Sequence, residues 1–276
     1  MTNAPAAAAL AELSRLIREK DVNAFSGPLK VGVDLGTANI VLAVLDADNR
    51  PVAGAMHPSS VVRDGIVVDY LGAVRVVRTL KGEIESRMGR ALPKTAATAI
   101  PPGIIDGNVK VIANVVEAAD FSVSAVIDEP TAASRVLGVK DGAVVDVGGG
   151  TTGISILKKG KVVFCDDEPT GGTHMTLVLA GAYGVPFEDA EILKKDADRQ
   201  DEVFPVIKPV VEKMAAIVNR CLQGRNVSTV HVVGGACVFD RFAEVFRKET
   251  GKTVMKAPEP LLVTPLGIAM SCAAGA

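Results

Sequence analysis

The stretch "VVDVGGGTTGISIL", Val144–Leu157, holds three consecutive glycines and two threonines between an apolar run and an alternating one. An aspartate, Asp146, leads into the turn. Glycines let backbone N–H groups converge on an anion with no Cβ in the way. The threonine hydroxyls add donors. A carboxylate beside a phosphate needs a cation between them. Mg²⁺, held through waters, one or two carboxylates and phosphate oxygens, meets that need. A tight β-hairpin with a structural aspartate would leave the same trace, so this stretch alone leaves both readings open.

A repeat separates them. "VGVDLGTANIVLAVL" starts at Val31 and "AVVDVGGGTTGISIL" at Ala143. Laid one on the other, Asp34 meets Asp146 and Gly36 meets Gly148, with apolar runs of equal phase on both sides. The unit is strand, aspartate, glycine turn, strand, present twice. Two such turns facing each other would grip a polyphosphate from both sides.

Around the repeat, strands alternate with helices. Leu29–Val33 and Ile40–Leu45 read as a hairpin pair, Gly65–Tyr70 as a short strand before a helix to about Met88, and Thr95–Pro101 as a small-residue strand. Gly107–Phe121 is a predicted helix, "AVIDEP" a strand ending at Pro130, and "TAASRVLG" a helix ending at Gly138. Val162–Cys165 follows the second glycine turn as a strand. Apolar residues from Val203 to Leu222 fall at three- and four-residue steps, an amphipathic helix that Pro209 could kink. Thr229–Val233 is a strand into "GGA", and Phe239–Glu249 a helix stopped by Gly251. The order argues α/β.

Composition narrows the function classes. Of 276 residues, 48% are hydrophobic and 22% charged, enough for a sizeable core. A net charge of −2 gives no footprint for nucleic acid or an anionic membrane. No apolar run approaches the roughly 18 residues of a membrane span, and no basic region with an apolar core opens the chain. Cys165, Cys221, Cys237 and Cys272 fit no metal or redox spacing, and each has apolar neighbours in sequence. Buried, reduced thiols in a cytoplasmic protein are expected.

From Leu29 onward the chain resembles the actin, sugar kinase and Hsp70 ATPase superfamily. Phosphate loop one resembles "VDLGTAN", Val33–Asn39, and loop two "DVGGGTTG", Asp146–Gly153. The interdomain helices resemble "DEPTAA", Asp128–Ala133, and "TPLGIAMSCAA", Thr264–Ala274. "GGTH", Gly171–His174, resembles the turn that opens a helix near the phosphates, and "VVGGACVF", Val232–Phe239, the adenosine motif. Within the superfamily, "VGVDLGTANIVLAVLD" and the small size resemble the ethanolamine-utilisation family EutJ, which is associated with bacterial microcompartments and described as Hsp70-like.

The resemblance implies a two-lobed α/β fold with duplicated sheets, reduced peripheral subdomains, and ATP or ADP with Mg²⁺ in the cleft. Residues 1–28 would be an N-terminal segment, 29–141 lobe I, 142–263 lobe II, and 264–276 a helix returning to lobe I. Asp34 and Asp146 would hold the Mg²⁺ shell. Gly36, Thr37, Ala38 and Asn39 would meet the terminal phosphates, and Gly148, Gly149, Gly150, Thr151 and Thr152 would cradle them. Gly171 and Gly172 would lie near the phosphates, and Gly234 and Gly235 would admit the nucleoside. Glu129 would position the attacking or metal-bound water, with Asp146 as second catalytic carboxylate. The rival for Glu129 is a stabilising charge in a helix's first turn. His174 reads as a helix-start hydrogen bonder. Three departures stand out. Gly153 occupies the place where a carboxylate often follows loop two. The insertions topping each lobe are nearly missing, between Leu45 and Gly65 and between Lys195 and Val203. The chain stops at the second interdomain helix, with no peptide-clamping domain.

At the N-terminus, "AAAALAELSRLIREK" puts Leu10, Leu13 and Ile17 on one face with Leu16 beside them. Residues 4–20 could bind a partner, as do peptides that carry cargo into microcompartments, or could dock on the chain's own surface. Two function classes follow. One is a chaperone or reactivating factor for ethanolamine-degrading enzymes, with slow or no ATP hydrolysis. The other is a non-hydrolysing adaptor among microcompartment shell proteins or enzymes. A small-molecule kinase or a polymerising actin fits less well, because the trimmed lobes leave little acceptor pocket or contact surface.

Overall fold

The computed structural model describes residues 4–63 and 65–274. Residues 1–3 and 275–276 of the expected terminal segments lie outside that range. Helix α1 (Ala4–Glu19) is followed by strands β1 (Leu29–Leu35), β2 (Asn39–Asp46) and β3 (Pro51–Pro58), the two-residue strands β4 (Val62–Arg63) and β5 (Ile66–Val67), and helix α2 (Tyr70–Met88). Then come β6 (Thr95–Ile100), α3 (Asp106–Ala118), β7 (Ser122–Asp128) and α4 (Glu129–Leu137). The five long strands form one sheet in the order β3-β2-β1-β6-β7.

The second half repeats this plan. Strands β8 (Gly142–Val147), β9 (Thr152–Lys158) and β10 (Lys161–Glu168) precede helices α5 (Gly172–Tyr183), α6 (Phe187–Lys195) and α7 (Gln200–Leu222). Next are β11 (Thr229–Val233), α8 (Phe242–Thr250), β12 (Thr253–Lys256) and α9 (Val263–Ser271). Their sheet runs β10-β9-β8-β11-β12, the same order as the first. In both, the first three strands are antiparallel and the last three parallel. Asp34 pairs with Val41 and Asp146 with Gly153, so the two glycine turns have equal length.

Strand alternation decides where the aspartates go. Side chains of one strand point to opposite faces with a period of two. In β1, Val31, Val33 and Leu35 pack outward beneath α2 and α3; in β8, Ala143, Val145 and Val147 pack outward beneath α5, α7 and α8. Val41, Ala43 and Leu45 of β2 and Val144 of β8 face inward instead, into a core shared with α4 and α9. Asp34 and Asp146 have the inward phase. Helices α4 and α9 thus lie between the sheets, each following the last strand of its half. They cross at Gly267, where any Cβ would land on the Ala132 carbonyl oxygen.

Helix α1 docks on this body. Leu10, Leu13 and Leu16 are fully buried, and Leu13 and Ile17 lie over Gly54 of β3. Fully burying a leucine stabilises by about 1.5–3 kcal/mol before ordering costs. Arg15 fastens the end of the helix, donating to Glu12 at 2.9 Å, Glu19 at 3.0 Å, Asp21 at 2.8 Å and Asn23 at 3.1 Å.

Several expected elements differ. Strands β3 and β12 and helix α6 were not anticipated, and the short strand expected over 65–70 pairs only at Ile66–Val67. Helix α7 runs unbroken through Pro205 and Pro209, both on its exposed side. The thiols are not all buried: Cys237 and Cys272 are, whereas Cys221 is half-buried and Cys165 exposed. Cys165 lies on β10, an edge strand whose outer face meets solvent, so apolar neighbours in sequence do not enclose it.

Candidate functional site

A cavity of about 560 Å³ opens between the two halves, lined by both glycine turns. The turns face each other across it. A Cβ on Gly149 would sit 2.9 Å from Ala38 Cβ and 3.2 Å from its nitrogen, so the glycine permits the approach. Among the described residues the N–H groups of Gly149, Gly150 and Thr151 donate to no backbone acceptor, which leaves them available to an anion. Gly36, Thr37, Ala38, Asn39, Gly148, Gly149, Gly150 and Thr151 all line the cavity.

Three carboxylates stand at its base. Asp34 ends β1, Asp146 ends β8, and Glu129 opens α4. Asp128 caps that helix through the Thr131 N–H at 2.9 Å. Glu129 is thereby released from the capping role and faces the cavity. Burial, reinforced by the charge of Asp146, raises the Asp34 carboxyl to about 7. Burial raises Asp146 to about 6, against the hydrogen bond from Thr264 Oγ1 to its Oδ2 at 2.5 Å. Burial, then the charges of Asp146, Asp34, Asp167 and Asp128, raise Glu129 well above the usual carboxylate range. Like charges enclosed together favour either a bound proton or a cation. Among the described residues no group of three or more ligating side chains is close enough to coordinate an ion directly. A cation here would be held through waters and ligand oxygens, the mode Mg²⁺ prefers.

Gly234 follows β11 with φ +93°, and a Cβ there would strike Asp146 Oδ1 and the Val147 carbonyl. Gly234 and Gly235 line the cavity with Ala236, Val238, Phe239 and Leu261, an apolar wall beside the polar base.

Two expected contacts fall elsewhere. Thr152 is 1% exposed, and its hydroxyl donates to the Thr170 carbonyl at 2.6 Å, locking β9 to the following turn. Gly171 lies behind loop two: its Cβ would be 2.6 Å from the Gly150 carbonyl carbon, and its N–H donates to His174 Nδ1 at 3.3 Å. Gly172 does line the cavity, but its N–H is spent on the Gly148 carbonyl at 2.9 Å and that of Thr173 on Gly149 at 2.7 Å. The start of α5 braces loop two.

Helix α6 adds a cation that the sequence reading missed. Lys194 Nζ donates to the Gly172 carbonyl at 3.1 Å, Thr176 Oγ1 at 2.7 Å and Glu191 Oε2 at 2.5 Å. Burial lowers its proton affinity and Glu191 opposes that. Lys194, Lys195 and Gln200 all line the cavity.

Comparison with known proteins follows the same lines. The family model described as Type IV pilus assembly protein PilM matches residues 107–258. The ethanolamine utilization protein EutJ of Escherichia coli (strain K12) is 44% identical over 249 residues, 90% of this chain and 87% of that protein. The solved structure of EutJ from Carboxydothermus hydrogenoformans is 49% identical with a TM-score of 0.92, covering 96% of this chain and 98% of that one. MreB 5 of Spiroplasma citri bound to AMPPNP is similar in fold alone, at 16% identity and a TM-score of 0.70 over 88% of this chain and 95% of that one.

Proposed function

Because the chain belongs to the EutJ family of ethanolamine utilization proteins and has the actin-like ATPase fold, we propose that it binds Mg²⁺-ATP and Mg²⁺-ADP between its lobes, hydrolyses ATP slowly, and acts as a chaperone or reactivating factor. Its clients are ethanolamine-degrading enzymes or microcompartment shell proteins. The observation that carries this reading is the pair of matched glycine turns, each preceded by an inward aspartate, on opposite sides of one cavity. MreB 5, which shares the fold, is bound to AMPPNP in its solved structure.

The residues have distinct work. N–H groups of Gly149, Gly150 and Thr151 take phosphate oxygens without reorganising, since no backbone acceptor holds them among the described residues. Asp34 and Asp146 hold the hydrated cation, with Thr264 fixing the Asp146 rotamer. Mg²⁺, when bound, neutralises phosphate charge and polarises the transferring group. Glu129 orients water from the lobe I side. Val238, Phe239 and Leu261 exclude water around the nucleoside. Burial and the charges of Asp146 and Asp34 favour the protonated form of Glu129 in the nucleotide-free protein, which favours binding over turnover and keeps a non-hydrolysing adaptor as the second reading.

Melting with and without Mg²⁺-ATP tests the binding. Ligand at a hundredfold excess over Kd stabilises by about 2.7 kcal/mol. The shift should appear with wild type and shrink in Asp34→Ala. No shift at millimolar nucleotide sinks the proposal. Addition of the nucleotide-loaded protein to inactivated ethanolamine-degrading enzyme then separates the roles: recovered activity supports a reactivating factor, and co-elution without recovery supports the adaptor.

A further inference from the structure

On the lobe II side the cavity is lined by α6, the start of α7 and the turn that follows β11. Two lysines carry N–H donors there, and both are paired with Glu191, Lys194 at 2.5 Å and Lys195 at 3.0 Å. Gln200, the first residue of α7, differs. Its Oε1 accepts from the Asp240 N–H at 3.3 Å. A backbone N–H can only donate, so this contact fixes which way round the amide lies. The oxygen is engaged. The nitrogen, with two N–H donors and no accepting lone pair, has no hydrogen-bond partner among the described residues. The half-buried side chain lines this cavity and also a smaller one of about 180 Å³, so it stands as a post between the two. Val238 lines the larger cavity as well and is 42% exposed, an apolar surface that a flat base would cover.

We infer that Gln200 reads the nucleobase, its amide nitrogen donating to a ring nitrogen of an adenine laid against Val238. This rests on the nucleotide-binding reading above and adds to it the group that selects the base. The three pyridine-like ring nitrogens of adenine carry lone pairs and no hydrogen, so each is an acceptor that suits an amide donor. The exocyclic amino group is itself a donor and is not matched by Gln200. The Asp240 N–H, by holding Oε1, keeps the amide from turning over and offering its oxygen instead. A base that brought a donor to this position would leave two sets of N–H groups facing each other, which a site built for hydrogen bonding rejects.

Analogues that lack one ring nitrogen test this. The full chain is taken as wild type, Gln200→Leu and Gln200→Glu. Glutamate keeps an oxygen for the Asp240 N–H and replaces the donor with an acceptor; leucine removes both. Calorimetry follows Mg²⁺-ATP, its 1-deaza, 3-deaza and 7-deaza analogues, and Mg²⁺-tripolyphosphate, which has no base. Wild type should bind one of the three analogues about threefold to tenfold more weakly than ATP, the loss of one neutral hydrogen bond. In Gln200→Leu that difference should vanish, because the partner is gone. Gln200→Glu should weaken ATP about tenfold or more, since a carboxylate then faces a lone pair, and tripolyphosphate by less than about threefold. The inference is overturned if wild type binds all three analogues as it binds ATP, or if the difference persists in Gln200→Leu. Equal losses of ATP and tripolyphosphate in Gln200→Glu overturn it too, as does wild type that holds tripolyphosphate as tightly as ATP. Wild type that binds neither overturns the underlying reading instead.

Discussion

Asp34 carries the sharpest test at the scale of single residues. Its carboxyl is raised from 3.8 to about 7 by burial and by Asp146. A raised acid binds its proton better folded than unfolded, so its contribution is fully present below the unfolded value. It is lost as pH rises through the folded one. The nucleotide-free protein should therefore lose stability between about pH 4 and pH 7, and Mg²⁺-nucleotide should offset the loss by placing a cation among the carboxylates. Asp34→Asn should raise the nucleotide-free melting temperature at about pH 8 more than at about pH 4.5. Equal shifts at both pH values would count against the enclosed-charge account. The two aspartates were legible in sequence because a repeat marks them. Lys194 was not: α6 buries only Ala190, so it shows no apolar stripe, and the pairing of Lys194 with Glu191 over Thr176 forms only once α5 and α6 pack. Thr152 misled for a related reason. The sequence shows two hydroxyls side by side, and only strand alternation sends one to the outer face of the sheet, onto the Thr170 carbonyl.

Helix α1 shows how an element can be read and its partner missed. The leucines at 10, 13 and 16 were visible as a face; that the face closes over β3 and α9 depends on contacts distant in sequence. Leu13→Ala should cost about 2–5 kcal/mol, the range for a buried leucine, measured by urea denaturation. A cost below about 0.5 kcal/mol, the usual surface range, would mean that the helix is detached in solution and free for a partner. Strand β12 was hidden in a different way. It is four residues long and, among the described residues, pairs only with β11, so alternation had no length over which to show. Strand β3 was lost because "PVAGAMHP" carries two prolines, a glycine and a histidine, which read as a loop although Val52, Ala53 and Ala55 are buried.

At the scale of the whole molecule, duplication explains most of what could be read. Two strand–turn–strand units of equal length, each followed by parallel strands and a returning helix, give two sheets of one order. Sequence showed the units; it could not show that α4 and α9 lie back to back between them. That arrangement makes Gly267 a spacer. The lobes rest on the two helices much as two plates rest on a bearing, and the clearance is set by a hydrogen where other residues carry a methyl. Gly267→Ala would insert a shim against the Ala132 carbonyl. With the helices forced apart, the plates tilt and the mouth of the cavity widens. Nucleotide affinity should then fall about tenfold or more, as a displacement near 1 Å far from the chemistry can do. The far surfaces of both lobes should keep their hydrogen-exchange protection. Small-angle scattering would register a wider particle. An unchanged radius and unchanged affinity would mean that the bearing yields without moving the plates. If it does move them, one methyl at a buried crossing sets the aperture, and any partner that presses on α9 from the α1 side has a lever on what the cleft holds.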